Sequence, residues 1–352
     1  MTGGWRDRPL ADLLAAHGLG DAVEVPFPND GWSGATFTSL RDEAGRRFVL
    51  KRTSLARDWI ARWTRDVDLR EGWLASEADA GGPLARHAPY LGAAADPAGD
   101  GVAILMPDLQ TELIAWDRPG VDPVIGPDAL ARVVRAVAAL HRTARSDALG
   151  GAVPWCPLPE RLTLLGPRAA ASYAAEGNPV GERFIAGWSA FGRVAPPAAS
   201  DLIERLDADV APFVAALGRL PAVGLHGDLK LANVALLAGG AVAFIDWQML
   251  LAAPVAVELG WFLVSNSHSL PATPDEVMDA YLRAAGEDLG DADWGGDPDA
   301  QRDLAWLVGL LMRGWRKGLD AEAGLTLASG VRATDDLAWW CERALRAADR
   351  RL

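Results

Sequence analysis

Four polar residues in the second half of the chain have the types and spacing that phosphoryl transfer from a nucleotide requires. They are His226, Asp228, Asn233 and Asp246, the first three within the segment 224–233. Such chemistry uses one carboxylate to orient the attacking hydroxyl, and an amide and a second carboxylate to bind Mg²⁺. Four fixed identities would match by chance in roughly one of several hundred chains of this length, so support elsewhere in the sequence is needed.

Both aspartates follow apolar runs, which predicts that each carboxylate emerges at the end of a buried element. Asp228 is the candidate base that accepts or orients the proton of an acceptor hydroxyl. Asn233 and Asp246 are the candidate Mg²⁺ ligands, because a hard cation binds oxygen donors. The alternative for either aspartate is a carboxylate that caps its own turn, and the joint spacing of the three residues favours the chemical role.

The two other polar residues of this segment have different predicted roles. Lys230 stands between Asp228 and Asn233, where a compact cation would contact the transferred phosphoryl group; a solvated loop lysine is the alternative. His226 follows Gly-Leu at a strand-to-loop junction. It is therefore predicted to order the loop by hydrogen bonding rather than to act as a catalytic base.

A glycine-rich turn within residues 29–37 and a lysine after it form a second set of candidates. Glycines let the backbone approach phosphate oxygens closely, although an ordinary hairpin turn would show the same pattern. Lys51 ends the apolar strand 48–50, from which a long cationic side chain can reach phosphates. The turn residues predicted to cover the nucleotide are Gly31, Ser33, Gly34, Ala35 and Thr36.

Lys51 should have a carboxylate partner on the helix that follows. Helical patterning over about 57–80 puts Val67, Glu71, Leu74 and Ala78 on one face. Burying a carboxylate alone in such a stripe is unfavourable, so Glu71, rather than Glu77, is predicted to pair with Lys51.

Length, composition, net charge and cysteine count limit the class of protein. A chain of 352 residues with 50% hydrophobic and 23% charged residues predicts a globular protein large enough for two lobes. The net charge of −13 argues against nucleic acid and favours neutral or cationic small molecules. Two cysteines predict reduced thiols, and the longest apolar runs are too short to span a bilayer. With no targeting segment apparent, a cytoplasmic protein without membrane contact is expected, and the oligomeric state stays open.

The spacing of apolar residues, together with the positions of Gly and Pro, predicts strands in the first third of the chain and helices in the remainder. This order favours an α+β fold with two lobes and a ligand-binding cleft between them. A helical pattern over 201–217 should be interrupted at Pro212. The other predicted elements are a helix at 9–18, strands within 23–52, a buried strand at 102–106, a helix from 127, a hairpin at 234–246 and further helices from 257.

Segments 226–233 and 245–247 resemble the aminoglycoside phosphotransferase and choline kinase family, whose members share the protein-kinase-like fold. The resemblance implies a small antiparallel-sheet N-terminal lobe at 1–106, a hinge at 107–111 and a larger, mostly helical C-terminal lobe at 112–352. It implies the base and the metal ligands named above, with ATP, or GTP, as phosphate donor and Mg²⁺ as cofactor.

Three further features follow from the resemblance. The hinge residues Met106, Asp108 and Leu109 would hold the nucleotide base through backbone groups. Glu258 stands where the family has an aspartate, which puts in doubt how it supports the catalytic loop. Lys230 departs from the family toward the catalytic loop of protein kinases.

The expected activity is transfer of the γ-phosphate to a hydroxyl of a small molecule: an aminoglycoside-like antibiotic, an amino sugar, an amino alcohol or a sugar. A protein kinase and a non-catalytic nucleotide-binding or scaffold protein are the alternatives. Acceptor contacts are expected within 155–200 and 265–315. Trp59 and Trp63 are expected in core packing or a lobe contact, and a platform on which a ligand stacks is the alternative. Four acids that would attract a cationic acceptor, or simply form a solvated surface, are Asp275, Glu276, Asp297 and Asp299.

Overall fold

The N-terminal part of the protein is built on an antiparallel sheet. The computed structural model describes residues 4–27, 31–114, 124–145, 153–287 and 296–352. Within them the sheet has the strand order β1-β2-β3-β5-β4. Its strands are β1 (Val25–Pro26), β2 (Thr36–Arg41), β3 (Arg47–Thr53), β4 (Gly92–Ala95) and β5 (Val102–Pro107).

Strand β3 lies at the centre of this sheet and carries Lys51. In the register, Lys51 pairs with Phe37 on β2 and with Ile104 on β5. Side chains alternate between the two faces of a strand, so Lys51 shares a face with Val49, while Leu50 points to the other. Val49 belongs to the main hydrophobic core and Leu50 to a smaller core beneath helix α1 (Leu10–Ala16). The lysine is therefore directed toward the interior side of the sheet.

The single helix predicted over about 57–80 is in fact two helices, α2 (Trp59–Trp63) and α3 (Arg70–Asp79). The backbone between them turns left-handed at Arg65 and Leu69, with φ of 52° and 51°. Asp66 explains the break, since its carboxylate accepts from the Arg70 amide at 2.9 Å and so begins a new helix. The predicted apolar stripe is accordingly wrong at Val67, which lies outside α3 and is exposed.

Helices dominate the remainder of the chain, as predicted. The interruption expected at Pro212 occurs just before it, because α8 ends at Ala208 and α9 begins at Ala211, with the proline in its first turn. The helices are α4 (Pro127–Thr143), α5 (Leu158–Thr163), α6 (Pro167–Ala175), α7 (Pro179–Val194), α8 (Pro197–Ala208), α9 (Ala211–Leu217), α10 (Val255–Asn266), α11 (Pro274–Glu287), α12 (Pro298–Glu322) and α13 (Ala333–Arg351).

Two short two-stranded sheets carry the loops of the candidate site. Strand β6 pairs with β9 and β7 with β8, all antiparallel, so the predicted 234–246 hairpin is confirmed. Helix α10 is buried along its whole length behind them, packed against α12. The strands are β6 (Val223–Leu225), β7 (Val234–Leu236), β8 (Val242–Phe244) and β9 (Leu251–Ala253).

The α+β fold class and two-lobed architecture predicted from the sequence are confirmed by this arrangement of a sheet-based N-terminal part and a helical C-terminal part. Strand β5 ends at Pro107, where the hinge was predicted. The division into lobes at 107–111 stays a prediction. In the described part of the chain, no helix combines the length and apolar character needed to cross a membrane.

Candidate functional site

A buried lysine joins the N-terminal sheet to the loop after β8. Lys51 Nζ donates to Glu71 Oε2 at 2.6 Å and to Asp246 Oδ1 at 2.7 Å. Burial by itself would lower the pKa of Lys51, but the two carboxylates raise it above the ordinary value. The lysine is thus held charged by the partner that the helical pattern predicts, Glu71, and by the candidate metal ligand.

Tyr90, which the sequence did not single out, connects both carboxylate-bearing segments. Its hydroxyl donates to Glu71 Oε1 at 2.6 Å and accepts from the Asp246 amide at 3.1 Å. Burial first, and then the adjacent Glu71, raise the pKa of Tyr90 well above its ordinary value, so it remains a donor. No spacing rule marks a tyrosine in the loop before β4, and only the fold brings it to this place.

Asp246 is held in an unusual backbone conformation. Its φ of 67° is left-handed, which a short polar residue tolerates better than a branched one. Burial would raise the pKa of its carboxyl, but Lys51 and then Lys230 lower it to about 2. The carboxylate is therefore ionised at neutral pH, and 29% of the side chain is exposed to a prospective ligand.

Glu258 orders the loop that carries Asp228. Its carboxylate accepts from the backbone amides of His226 at 3.0 Å and Gly227 at 2.7 Å, and it bonds His141 Nε2 at 3.0 Å. Burial would raise the pKa of Glu258, whereas the hydrogen bond from His141 and the Gly227 amide hold it below its ordinary value. The glutamate that replaces the family's aspartate thus still anchors the loop.

His226 and Gly227 have structural roles in the same loop. His226 Nε2 bonds the Ile245 carbonyl at 2.8 Å, which ties the loop to the segment before Asp246 and fits the predicted ordering role. Gly227 has φ of +84°, and a Cβ added there would lie 2.0 Å from the Met249 carbonyl oxygen. Only glycine fits this position.

The structure brings together the three polar residues of the predicted catalytic loop. Lys230 Nζ lies 2.9 Å from Asp228 Oδ2, and Asn233 Nδ2 donates to the Asp228 carbonyl at 2.9 Å. Arg161, a buried residue that sequence reasoning missed, has Nη2 3.9 Å from Asp228 Oδ1 and donates from Nε to the Gly227 carbonyl at 2.6 Å. Asp228 is therefore flanked by two cations.

The donor set at this place suits Mg²⁺. Asn233 uses Nδ2 for its hydrogen bond to the loop, which directs the amide oxygen elsewhere, and Asp246 contributes an ionised carboxylate. Two oxygen ligands, completed by phosphates and water, are typical of protein Mg²⁺ sites. Across the described ranges, no cluster of three or more His, Cys, Asp or Glu side chains is arranged for a metal.

The glycine-rich turn reaches the helix that follows β3. Gly34 has φ of +92°, and a Cβ there would lie 2.5 Å from the Arg57 carbonyl oxygen. Ser33 Oγ is 3.5 Å from the Ala35 amide, and Thr36 begins β2. Gly31 is also among the described residues. Asn29 and Asp30, at the start of the predicted turn, lie outside them.

At the predicted hinge, the Asp108 carboxylate, the Asp108 amide and the Leu109 carbonyl all have partners within the chain. Asp108 pairs with Arg47 Nη2 at 2.6 Å, and its amide donates to the Arg47 carbonyl at 3.1 Å. Met106 is buried in β5, and the Leu109 carbonyl accepts from the amides of the turn that follows. Base binding at this place remains a prediction that concerns main-chain atoms alone.

The tryptophans Trp59 and Trp63 pack between parts of the chain, as expected. The Trp59 and Tyr173 rings are 4.6 Å apart, and those of Trp63 and Tyr173 are 5.3 Å apart, both edge to face. Trp59 Nε1 also donates to the Trp32 carbonyl at 2.6 Å. These contacts connect the glycine-rich turn and α2 with helix α6.

The four acids considered for a cationic acceptor have other contacts or lie on the surface. Asp275 pairs with Arg343 at 2.8 Å, and Glu276 accepts from the Thr273 amide at 2.8 Å. Asp297 caps α12 by accepting from the Asp299 amide at 3.0 Å. These are the contacts of a solvated acidic surface.

A cavity of about 620 Å³ lies elsewhere, between α5, α6, α8 and α9. Its walls include Trp63, Arg168 and Asp207, and none of the predicted site residues. The candidate site residues therefore do not line this pocket.

Residues 24–297 match the model of the phosphotransferase enzyme family, known as APH. An aminoglycoside phosphotransferase of Streptomyces rimosus is 20% identical, with 85% of this chain and 96% of that chain covered and a TM-score of 0.46. The choline kinase LicA of Streptococcus pneumoniae is 9% identical, with 93% and 94% covered and a TM-score of 0.49. An ethanolamine kinase of Plasmodium vivax is 12% identical, with 96% and 85% covered and a TM-score of 0.48.

No curated protein sequence is significantly similar to the chain. The family match nevertheless extends over well more than half of the 352 residues, from β1 to the N-cap of α12. It includes Lys51, Glu71, the loop of Asp228 and Asp246. The protein belongs to the phosphotransferase enzyme family.

Proposed function

We propose that the protein transfers the γ-phosphate of ATP to a hydroxyl group of a small molecule. The observation that carries the proposal is the 2.7 Å contact between Lys51 Nζ and Asp246 Oδ1. It joins residues 195 positions apart and sets the phosphate-binding lysine of the sheet beside the loop that supplies the metal ligand. Residues with no shared role would have little reason to meet in a buried, charged contact.

In the proposed reaction, the acceptor oxygen forms a bond to the γ-phosphorus while the bond to the β,γ-bridging oxygen breaks and ADP leaves. Asp228 orients the acceptor hydroxyl and receives its proton. Lys51, fixed by Glu71, positions the α- and β-phosphates. Lys230, 2.9 Å from the Asp228 carboxylate, offsets negative charge on the transferred group.

Asn233 and Asp246 would hold Mg²⁺, which neutralises phosphate charge when bound. The turn formed by Gly31, Ser33, Gly34, Ala35 and Thr36 covers the phosphates in this proposal, and backbone groups of 106–109 hold the base. GTP would bind through the same backbone groups. Use of ATP together with two buried, free cysteines favours the cytoplasm as the site of action.

The test combines nucleotide binding with a search for phosphorylated product. Thermal shift with ATP, GTP and Mg²⁺ comes first, with ATP plus EDTA as the matched control. A mass-shift screen of +80 Da, the mass of HPO₃ added to a hydroxyl in a phosphoryl-transfer reaction, then covers sugars, amino sugars, amino alcohols, hydroxy acids and antibiotics. Mg²⁺-dependent stabilisation and a phosphorylated acceptor are expected.

Two results would contradict the proposal in different ways. Stabilisation by Mg-ATP without turnover on any acceptor would favour a nucleotide-binding scaffold. Phosphorylation of protein substrates, with no phosphorylated product from any small molecule, would favour a protein kinase.

A further inference from the structure

Beside Asp228 the structure forms a cluster of two arginines and two tryptophans, here termed the Arg–Trp cluster: Arg161, Trp261, Arg313 and Trp315. The Arg161 guanidinium lies 4.7 Å from the centre of the Trp261 ring. Arg313 lies 5.5 Å from the same ring and 5.9 Å from that of Trp315. The cluster draws its members from α5, α10 and α12, and reaches the candidate base through the 3.9 Å contact of Arg161.

The cluster contains buried hydrogen-bond donors that lack acceptors. Arg161 is 1% exposed, Trp261 4% and Trp315 2%. Yet Arg161 Nη2, Trp261 Nε1 and Trp315 Nε1 donate no hydrogen bond to any residue in the described part of the chain. A buried donor without an acceptor destabilises a fold, so three of them in contiguous side chains point to a ligand that brings acceptor atoms.

Further cations lie near the Arg–Trp cluster. Burial, followed by the nearby Arg316, lowers the pKa of Arg313 to about 10, so it stays charged at neutral pH. Burial, followed by Arg313, Lys317 and Arg316, lowers the pKa of His268 to about 3. These three cations thus add to the effect of burial on His268.

Three nearby carboxylates, those of Asp320, Asp336 and Asp228, are each paired with a neighbouring cation. Asp320 is engaged with Arg316 at 2.8 Å, and Asp336 lies 2.5 Å from Lys317. Asp228 lies 2.9 Å from Lys230, whereas its distance to Arg161 is longer, at 3.9 Å. A cationic acceptor would have to place its charge beside Arg161 and Arg313, whereas an anionic one would bring acceptor atoms to the buried donors of Arg161, Trp261 and Trp315.

We propose that the acceptor is an anionic hydroxyl compound whose carboxylate or phosphate binds the Arg–Trp cluster while its hydroxyl lies at Asp228. Guanidinium groups bind both anions in a planar, often bidentate geometry, and indole N–H groups add neutral hydrogen bonds. The inference depends on the proposed phosphotransferase function and names the substrate class of that same site. It differs from the neutral or cationic acceptor that the net charge favours.

The first experiment compares compounds that differ only in charge. Hydroxy acids and sugar acids are paired with their methyl esters or amides, and sugar phosphates with the parent sugars; aminoglycosides and amino alcohols form the cationic arm. ADP formation gives kcat/KM, and calorimetry with Mg²⁺ and a non-hydrolysable ATP analogue gives binding. The best anionic compound should exceed its neutral partner by about 10-fold or more, because hydrogen bonds to charged groups are worth that much. The carboxylate and phosphate arms distinguish the two sources of the anion.

The second experiment removes one charge. Arg313→Gln should raise KM for the anionic acceptor by about 10- to 100-fold and change kcat/KM for its neutral partner less than about threefold. Affinity for the Mg-nucleotide should not change. Arg346→Gln is the matched control, since Arg346 is an exposed arginine that pairs with Glu342 on α13. Arg161→Gln, which also loses the hydrogen bond to the Gly227 carbonyl, is a second variant. If it does not fold, Arg161→Lys, which keeps the charge, replaces it.

Three outcomes would overturn the inference. A cationic or neutral acceptor with the highest kcat/KM would contradict it and leave the proposed function intact. An equal loss for anionic and neutral acceptors in Arg313→Gln would mean that the arginine serves the transferred phosphoryl group. Absence of Mg-nucleotide binding would contradict the proposed function itself, and the inference with it.

Discussion

The phosphate side and the acceptor side of the candidate site treat their charged groups in opposite ways. On the phosphate side, Lys51 is buried with two carboxylates within 2.7 Å, and Tyr90 uses its hydroxyl both as donor and as acceptor. On the acceptor side, Arg161 and its tryptophan neighbours hold buried donors with no acceptor among the described residues. One side has its hydrogen bonds satisfied, and the other does not.

The difference indicates which interactions are formed before a ligand arrives. A satisfied, buried ion pair fixes a side chain in place, so in the proposed reaction Lys51 would be preorganised for phosphates that are the same in every turnover. Unsatisfied donors lower the stability of the free protein and are compensated only when a ligand binds. We therefore expect the proposed acceptor side to determine selectivity, and substitutions on the two sides should have different consequences.

The largest effect is expected where the two sides meet, at Asp228. Asp228→Asn removes the base and should lower kcat by about 10²- to 10⁴-fold, with Mg-ATP affinity nearly unchanged. Single-turnover phosphorylation together with nucleotide titration would measure both quantities. A variant that kept near wild-type transfer rates would show that Asp228 is not the base.

On the phosphate side, Asp246→Ala should abolish the Mg²⁺ dependence of nucleotide binding. The expected loss of Mg-ATP affinity is roughly 100-fold or more, because an ionised metal ligand is removed. Thermal shift with and without Mg²⁺ would measure it. Asp299→Ala, at an acid placed on the surface at the start of α12, is the control. Unchanged Mg²⁺ dependence in the Asp246 variant would remove this residue from the metal site.

The free energies of unfolding of two single-site variants test whether hydrogen bonds are satisfied on the phosphate side and unsatisfied on the acceptor side. Tyr90→Phe removes the hydroxyl that donates to Glu71 Oε1 and accepts from the Asp246 amide, and should lower the free energy of unfolding by about 1–3 kcal/mol. Arg313→Gln should change it by less than about 1 kcal/mol, because a desolvated cation is lost as well as its contacts. Urea denaturation of both variants would measure the values, and similar losses would refute the contrast.

The smallest effect concerns His268, which responds to the cations of the acceptor side. Its folded pKa of about 3 lies below its ordinary value of 6.5, so on acidification the unfolded chain binds a proton before the folded one does. The free energy of unfolding should therefore fall as the pH decreases from about 6.5 to about 3. His268→Gln should remove part of this slope.

Arg313→Gln tests the same effect through the pKa of His268. It should raise the pKa of His268 by about half a unit or more, measured by NMR titration, because one neighbouring positive charge is lost. The exposed pair Arg346 and Glu342 offers the control, since Arg346→Gln should leave that titration unchanged. A His268 pKa that did not respond to Arg313 would mean that burial alone depresses it.

Much of the phosphate side was predictable from the sequence because its residues follow local rules. Lys51 ends an apolar strand, and Asp228, Asn233 and Asp246 keep a spacing set by a short loop and a hairpin. Glu71 was identified by helical period even though the helix was predicted too long, since the three- and four-residue steps around Glu71 hold within α3 itself. The break before it depends on the cap formed by Asp66, a feature that periodicity alone does not contain.

The sequence alone indicated the phosphotransferase family and the order of sheet and helices, and it predicted Lys51, Glu71, Asp228, Asn233 and Asp246 as candidate site residues. Tertiary structure decided that Tyr90 joins Glu71 to Asp246, that Glu258 replaces a shorter aspartate as the anchor of the loop, and that Arg161 lies beside Asp228. The physical reason is distance along the chain. Strand and helix periods connect residues a few positions apart, whereas the donors of the acceptor side come from α5, α10 and α12 and become neighbours only through packing.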